Sequence, residues 1–255
     1  MLMKKLSLLL LAMCCVLPMR AAESRLFEMR TYTTAPGKLE ALHARFQQHA
    51  CRLLERHGMV NIGYWIPMDE PAASNTLLFV IAHKDRGSRE TGWKGLIADP
   101  EWQAVFKASE AQGRLVEKVE VRLLRATDYS PAIQPPGAGG PRVFELRTYV
   151  AAPDRLAALN ARFRNHTLGL FAKHGMQNVA YWTVAEGEPG ADDTLIYFIA
   201  HRNREAAKAS FDAFRVDPDW LKAREESEEK AGGSLTAPGG VTSVFMHATP
   251  YSPIQ

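Results

Sequence analysis

Cysteine is scarce in this 255-residue chain, which has only Cys14, Cys15 and Cys51. The first two fall in an N-terminal leader, so the mature protein keeps Cys51 alone and cannot form an intrachain disulfide. Cys51 stands in no motif, and its surroundings favour a buried apolar thiol over a nucleophile. Long hydrophobic runs are also lacking. The best, residues 6–17, is 12 residues long, short of the roughly 20 needed to span a hydrocarbon layer. Charge of one sign is missing as well. Lys4, Lys5 and Arg20 carry the whole net charge of +3, and without them 31 − 3 = 28 basic residues face 28 acidic ones. With no basic stripe to neutralise phosphates, nucleic-acid binding and adhesion to anionic lipid are set aside. No His-Glu-x-x-His, Cys-x-x-Cys, Gly-x-Ser-x-Gly, phosphate loop or dinucleotide fingerprint is present. Metal hydrolase, serine hydrolase, kinase and Rossmann readings therefore have no support, and no metal site is expected.

What is present is ordinary globular composition, 46% hydrophobic, 9% aromatic and 23% charged. The first 22 residues place Lys4 and Lys5 before the apolar run, then Pro18 and the small Ala21 and Ala22. This reads as a secretory signal peptide spanning 1–22 and predicts a periplasmic or secreted protein, with no stable membrane insertion after cleavage. An uncleaved anchor is the alternative, because Arg20 or Met19 occupies the third position before either cut.

The chain contains itself twice. Phe27-Glu28-Met29-Arg30-Thr31-Tyr32 returns as Phe144-Glu145-Leu146-Arg147-Thr148-Tyr149, and residues 27–65 match 144–182 identically at 21 of 39 positions. Asp99-Pro100-Glu101-Trp102 returns as Asp217-Pro218-Asp219-Trp220, and Tyr-Ser-Pro closes each copy at 129–131 and 251–253. Residues 132–141, rich in proline and glycine, form a linker between domains 25–131 and 142–253.

Within a copy, residues 27–32 alternate as a strand. Leu39, Leu42, Phe46, Leu53 and Leu54 mark an amphipathic helix that runs from Pro36 to the capping Gly58. Residues 59–66 and 76–83 read as a hairpin, Asp99-Pro100 opens a second helical region, and residues 119–125 supply the last strand. The order βαββαβ is that of ferredoxin-like domains, an α+β class. With both helices on one face of each sheet, the other face needs a cover. The second copy supplies it, giving an intrachain pseudo-dimeric α+β barrel or sandwich.

The opening Phe-Glu-Met-Arg-Thr-Tyr, the His57-Gly58-Met59 helix exit, Tyr64-Trp65 and Asp99-Pro100-Glu101-Trp102, each with its counterpart, resemble the NIPSNAP family of the dimeric α+β barrel superfamily. The resemblance implies two tandem domains of that kind and little about activity. The wider superfamily includes cofactor-free monooxygenases, small-molecule isomerases and haem-binding enzymes that use the cavity between sheet and helices. A pocket is therefore expected.

Glu28, Arg30 and Tyr32 share one strand face, repeated by Glu145, Arg147 and Tyr149. If Phe27 and Met29 point to the helices, the polar trio points into the barrel. A Glu28–Arg30 ion pair is the plain reading, since a lone buried guanidinium is costly. An Arg30 that grips an anionic or carbonyl ligand, with Tyr32 as donor, is the functional one. Asn61, Gly63 and Trp65 would share the next strand's face, repeated by Asn178, Ala180 and Trp182, and the small residue would leave room for a flat ligand beside the indole. His49, on the apolar stripe, reads as a core imidazole, and His57 and His174 read as helix-end residues. His83 and His201, closing the third strand, are the acid/base or axial-ligand candidates, with Tyr32 and Tyr149 as further catalytic candidates; no cofactor is expected, haem being the one that the resemblance allows. Three functions stay open: an exported protein that binds a small, partly apolar molecule in the barrel, a cofactor-independent monooxygenase or isomerase acting on an aromatic compound, and a non-enzymatic interaction module. Further homo-oligomerisation stays open too.

Overall fold

The computed structural model describes residues 25–133 and 142–255. The proposed signal peptide 1–22, and the linker from 134 onward, lie outside the described residues. The first copy contains strands β1 (Leu26–Thr34), β2 (Val60–Pro67), β3 (Thr76–His83) and β4 (Val116–Ala126). Its helices are α1 (Leu39–Arg45), α2 (Cys51–Arg56), α3 (Arg86–Ala98) and α4 (Pro100–Ser109). The second copy repeats them as β5 (Val143–Ala151), β6 (Gln177–Val184), β7 (Thr194–His201) and β8 (Thr236–Ala248), with α5 (Leu156–Arg162), α6 (Leu168–Lys173), α7 (Arg204–Arg215) and α8 (Pro218–Ala231).

All eight strands close into one antiparallel barrel in the order β1-β3-β2-β8-β5-β7-β6-β4. Each copy keeps the ferredoxin-like order β4-β1-β3-β2, and two short seams join the copies. At one seam Trp65 pairs with Ala248 and Pro67 with Met246. At the other Leu124 pairs with Val184 and Ala126 with Trp182. The bare sheet faces meet inside, where Phe27, Trp65, Trp182 and Phe198 are nearly inaccessible and belong to one core. Trp65 stacks on Phe198 at 4.6 Å. Among the described residues, a large core lies outside the barrel under the helices of each copy.

The Tyr-Ser-Pro segments are exchanged between copies. Tyr251 packs on Tyr64 at 5.3 Å, and the Tyr64 N–H donates to Ser252 Oγ at 2.9 Å. Reciprocally, Tyr129 packs on Tyr181, whose N–H donates to Ser130 Oγ.

Two helical readings need correction. A π turn at Phe46–Ala50 joins α1 to α2, and another at Phe163–Thr167 joins α5 to α6. One extra residue in the turn rotates the next helical segment, so Ala50 rather than His49 continues the buried stripe. His49 is half-buried and so not a core imidazole, and its counterpart in the second copy, His166, is exposed. The stretch before Asp99 is itself a helix, α3, that hydrophobic periodicity does not reveal. It carries Gly92 and Gly95 because a Cβ there would sit 2.8 Å from the His57 carbonyl oxygen and from His57 Nδ1, respectively.

Candidate functional site

Strand alternation divides residues between two faces without saying which face a barrel will enclose. Phe27 and Met29 point into the barrel, and Glu28, Arg30 and Tyr32 point to the helices, the reverse of the expectation. The physical reason lies in what each face offers. On the helix side polar partners reach the carboxylate, His83, Arg89 and Trp93 in the first copy and His201 and Ser243 in the second, whereas the closed barrel interior offers apolar neighbours.

The Glu28 side chain is fully buried and accepts from four residues. Arg30 Nη1 donates at 2.7 Å, Arg89 Nε at 2.7 Å, Trp93 Nε1 at 2.9 Å and His83 Nε2 at 2.9 Å. Burial alone would raise the Glu28 pKa, but the hydrogen bonds from His83, Arg89 and Trp93 and the charge of Arg30 outweigh it and hold the group at about 2. The carboxylate is a fixed anion. In the second copy Glu145 accepts from His201 at 3.0 Å, Arg147 at 2.5 Å and Ser243 at 2.5 Å, while Ala207 and Phe211 replace Arg89 and Trp93. Burial is again outweighed by these partners, and the Glu145 pKa is lowered. The Glu–Arg ion pair of the plain reading is present in both copies.

His83 and His201 are 1% and 3% exposed. Each commits Nε2 to its glutamate and leaves Nδ1 buried without a partner among the described residues. Such imidazoles do not fit an axial haem ligand, which must present a free nitrogen to an open face. His57 and His174 bind Asp99 and Asp217, at 2.9 and 2.7 Å, and so tie a helix end to the next helix start.

Asn61 and Trp65 are not neighbours on one face. A bulge between Asn61 and Gly63 shifts the register, as does one between Asn178 and Ala180. Asn61 faces the helices, donating to the Cys51 carbonyl at 2.9 Å and accepting from the Tyr64 hydroxyl at 2.5 Å. Asn178 does the same with Leu168 and Tyr181. Trp65 and Trp182 fill the barrel. The space over Gly63 is taken by the Trp65 indole, so no flat ligand fits there. Burial pushes the Cys51 thiol up to about 11, which leaves it inert.

A cavity of about 190 Å³ opens between the first copy's sheet and its helices. Of the expected site residues, Tyr32 lines it. Arg45, Trp93, Leu96 and Trp102 also line it, with Glu110 and Arg114 toward the start of β4. Arg45 is 5% exposed, contacts Glu110 at 3.2 Å and Ser109 at 3.3 Å, and its Nε has no hydrogen-bond partner among the described residues. Burial pulls the Arg45 pKa down, and Glu110 partly restores it. Burial raises the Tyr32 pKa against the pull of Arg30 and Arg45, so its phenol stays protonated. Trp93 links cavity and anion, because Arg30 stacks on its ring at 4.3 Å while its indole N–H donates to Glu28.

The second copy carries larger side chains at two of the equivalent positions. Phe171 and Phe214 replace Leu54 and Leu96, and Phe214 packs on Phe171 at 5.1 Å and on Trp220 at 4.4 Å. Sequence reasoning missed Arg45, although it recurs as Arg162 on an otherwise apolar helix face. Trp93 and Leu96 lie in the stretch that periodicity left unread.

The sequence model of the NIPSNAP family matches residues 27–131 and again 144–253. The Dictyostelium discoideum protein NipSnap homolog is 25% identical over 138 residues, 53% of this chain and 53% of that protein. The chain thus spans about half the length of the curated relative it matches. A crystal structure of a candidate monooxygenase from Lactobacillus acidophilus NCFM superposes with a TM-score of 0.56 at 13% identity, covering 89% of this chain and 94% of that one. One from Fusobacterium nucleatum subsp. nucleatum gives 0.58 at 9% identity, with 88% and 92% covered. An anthrone oxidase-like protein gives 0.56 at 13%, with 89% and 92% covered. At such identities these three likenesses speak for the fold alone.

Proposed function

Because the chain belongs to the NIPSNAP family, whose fold it carries in duplicate, we propose that its two copies have divided their labour: the second is structural and the first binds a small aromatic molecule bearing one anionic group. The observation that carries this reading is the exchange of Leu54 and Leu96 for Phe171 and Phe214, which leaves a cavity on one side and a packed ring cluster on the other. At about 190 Å³ the space is below the roughly 300 Å³ of drug-sized sites but above the ~150 Å³ that holds a benzene, so one substituted ring suits it. Its walls are largely aromatic, and two guanidiniums, Arg45 and Arg114, stand against the one carboxylate of Glu110. Arg45 is already desolvated, which strengthens its pull on a ligand anion.

The oxidase-like proteins of this fold suggest turnover only by analogy. Tyr32 is held protonated and Glu110 is paired with Arg45, so the cavity offers hydrogen bonds and charge rather than a free base. We place the binding outside the cytoplasm on the strength of the segment 1–22.

Calorimetric titration with 4-hydroxybenzoate, benzoate and benzyl alcohol tests the reading. The expected result is one site per chain, with benzoate bound roughly tenfold more tightly than its neutral analogue and lost in Leu96→Phe. Heat that is unchanged in Leu96→Phe, or no binding at all, would overturn it.

A further inference from the structure

Strand β4 is paired along its inner edge with β1 from Val116 to Arg125, but along its outer edge with β6 only from Leu124 to Ala126. The outer edge is prolonged by one bond, from the Ala185 N–H to the Leu123 carbonyl at 2.8 Å. Beyond it, residues 117–122 are all exposed, and their outer edge has no strand partner among the described residues. The Leu123 bond sets the parity of the ladder. Antiparallel strands turn alternate residues outward, so the N–H and C=O of Val119 and Val121 face away from β1.

The corresponding outer edge of β8 is guarded. It pairs with β2 only from Met246 to Ala248, and the exposed part carries Pro238, which has no N–H, followed by Gly239 at φ +68°. Such interruptions keep an edge from recruiting another strand. The outer edge of β4 contains neither proline nor glycine, and it alternates valine with charge as Lys118-Val119-Glu120-Val121-Arg122.

We propose that the outer edge of β4 is a self-association surface, on which a second copy of this chain adds its own β4 antiparallel about a two-fold axis at Val119. Opposed residues in an antiparallel pair share parity, so the axis passes through a residue, and the inner positions of Lys118–Arg122 are Glu120, Val121 and Val119. A centre at Glu120 sets Glu120 against Glu120 and Lys118 against Arg122, with like charges at every polar pair. A centre at Val121 sets Val119 against Leu123, whose carbonyl is already taken by Ala185. A centre at Val119 sets Val119 against itself and Lys118 against Glu120 twice over, leaving the Ala185 bond untouched. Lys118 and Glu120 already lie 3.0 Å apart within one chain, so two copies bring four alternating charges together. On the other face Val119 and Val121, 44% and 41% exposed, gain apolar neighbours. The interface is isologous and closes on itself. Val119 also lines the first copy's cavity, so the second chain runs along the rim of that site.

Sedimentation equilibrium of the purified protein over a dilution series is the test. The wild type is expected to approach twice the chain mass. Glu120→Lys should weaken association by roughly tenfold or more by opposing it to Lys118, and the exchanged pair Lys118→Glu/Glu120→Lys should restore it. Both side chains are over half exposed, so at dilutions where the wild type is monomeric each variant should show an unchanged unfolding midpoint. A wild type that stays monomeric, a Glu120→Lys protein that associates normally, or rescue by Arg122→Glu in place of Lys118→Glu overturns the proposal.

Discussion

The Tyr251 hydroxyl lies 2.7 Å from His43 Nδ1, a contact between the closing segment of the second copy and the first helix of the first. Tyr129 reciprocates with Asn160 Oδ1 at 2.6 Å. The copies are therefore held together by exchanged arms as well as by the two seams. Tyr251→Ala removes a ring packed on Tyr64 and should cost roughly 2–4 kcal/mol of stability, whereas Tyr251→Phe should cost about 1 kcal/mol. Urea unfolding followed by circular dichroism measures both. Equal costs for the two variants would show that the hydrogen bond, not the packing, does the holding.

The filled half can be opened. Phe214→Leu trades a ring that touches Phe171 and Trp220 for the residue the first copy uses, and should destabilise by about 1–2 kcal/mol. Combined with Phe171→Leu, it should create a second cavity and a second binding event in the benzoate titration. One event with unchanged stability would mean that the rings do not occlude the space.

Acid should act through Glu28. Its pKa is depressed from 4.5 to about 2 in the folded protein, so its contribution is present above pH 4.5 and is lost as pH falls from there through 2. The interval corresponds to about 3 kcal/mol. Denaturant midpoints measured between neutral pH and pH 2 should fall less steeply in Glu28→Gln than in the wild type. The variant should also be weaker at neutral pH, because Arg30 and Arg89 lose their shared anion. Parallel pH curves would contradict this account of the cluster.

Gly63 makes room for a buried indole. A Cβ at this position would run into Cη2 and Cζ2 of Trp65, and the ring is stacked against Phe198 inside the barrel, so it has nowhere to retreat. Gly63→Ala should cost about 1–3 kcal/mol and alter the near-ultraviolet dichroism of the tryptophans. A silent substitution would imply a looser interior than the packing shows.

Much of the fold was legible because it is written twice. The repeat marked the copies, β1 and the β2–β3 hairpin were readable from alternation, and the need to cover two bare sheets pointed to the barrel. The site was harder to read. Alternation placed Glu28, Arg30 and Tyr32 on a common face but could not choose between barrel and helices, because the choice depends on partners far off in sequence, His83 and Arg89 for Glu28 and His201 and Ser243 for Glu145. The bulge after Asn61 parted it from Trp65, and a π turn displaced His49, each by one residue that leaves no mark in composition. The cavity itself arises from differences between the copies, Leu54 against Phe171 and Leu96 against Phe214, whereas the repeat drew the eye to what they share.

The most direct test of the division between the copies is anomalous diffraction from crystals soaked in 4-bromobenzoate. The account predicts one bromine per chain in the space bounded by Trp93, Leu96 and Trp102, with the carboxylate toward Arg45 or Arg114. Bromine inside the barrel, or beneath the helices of the second copy, would contradict it.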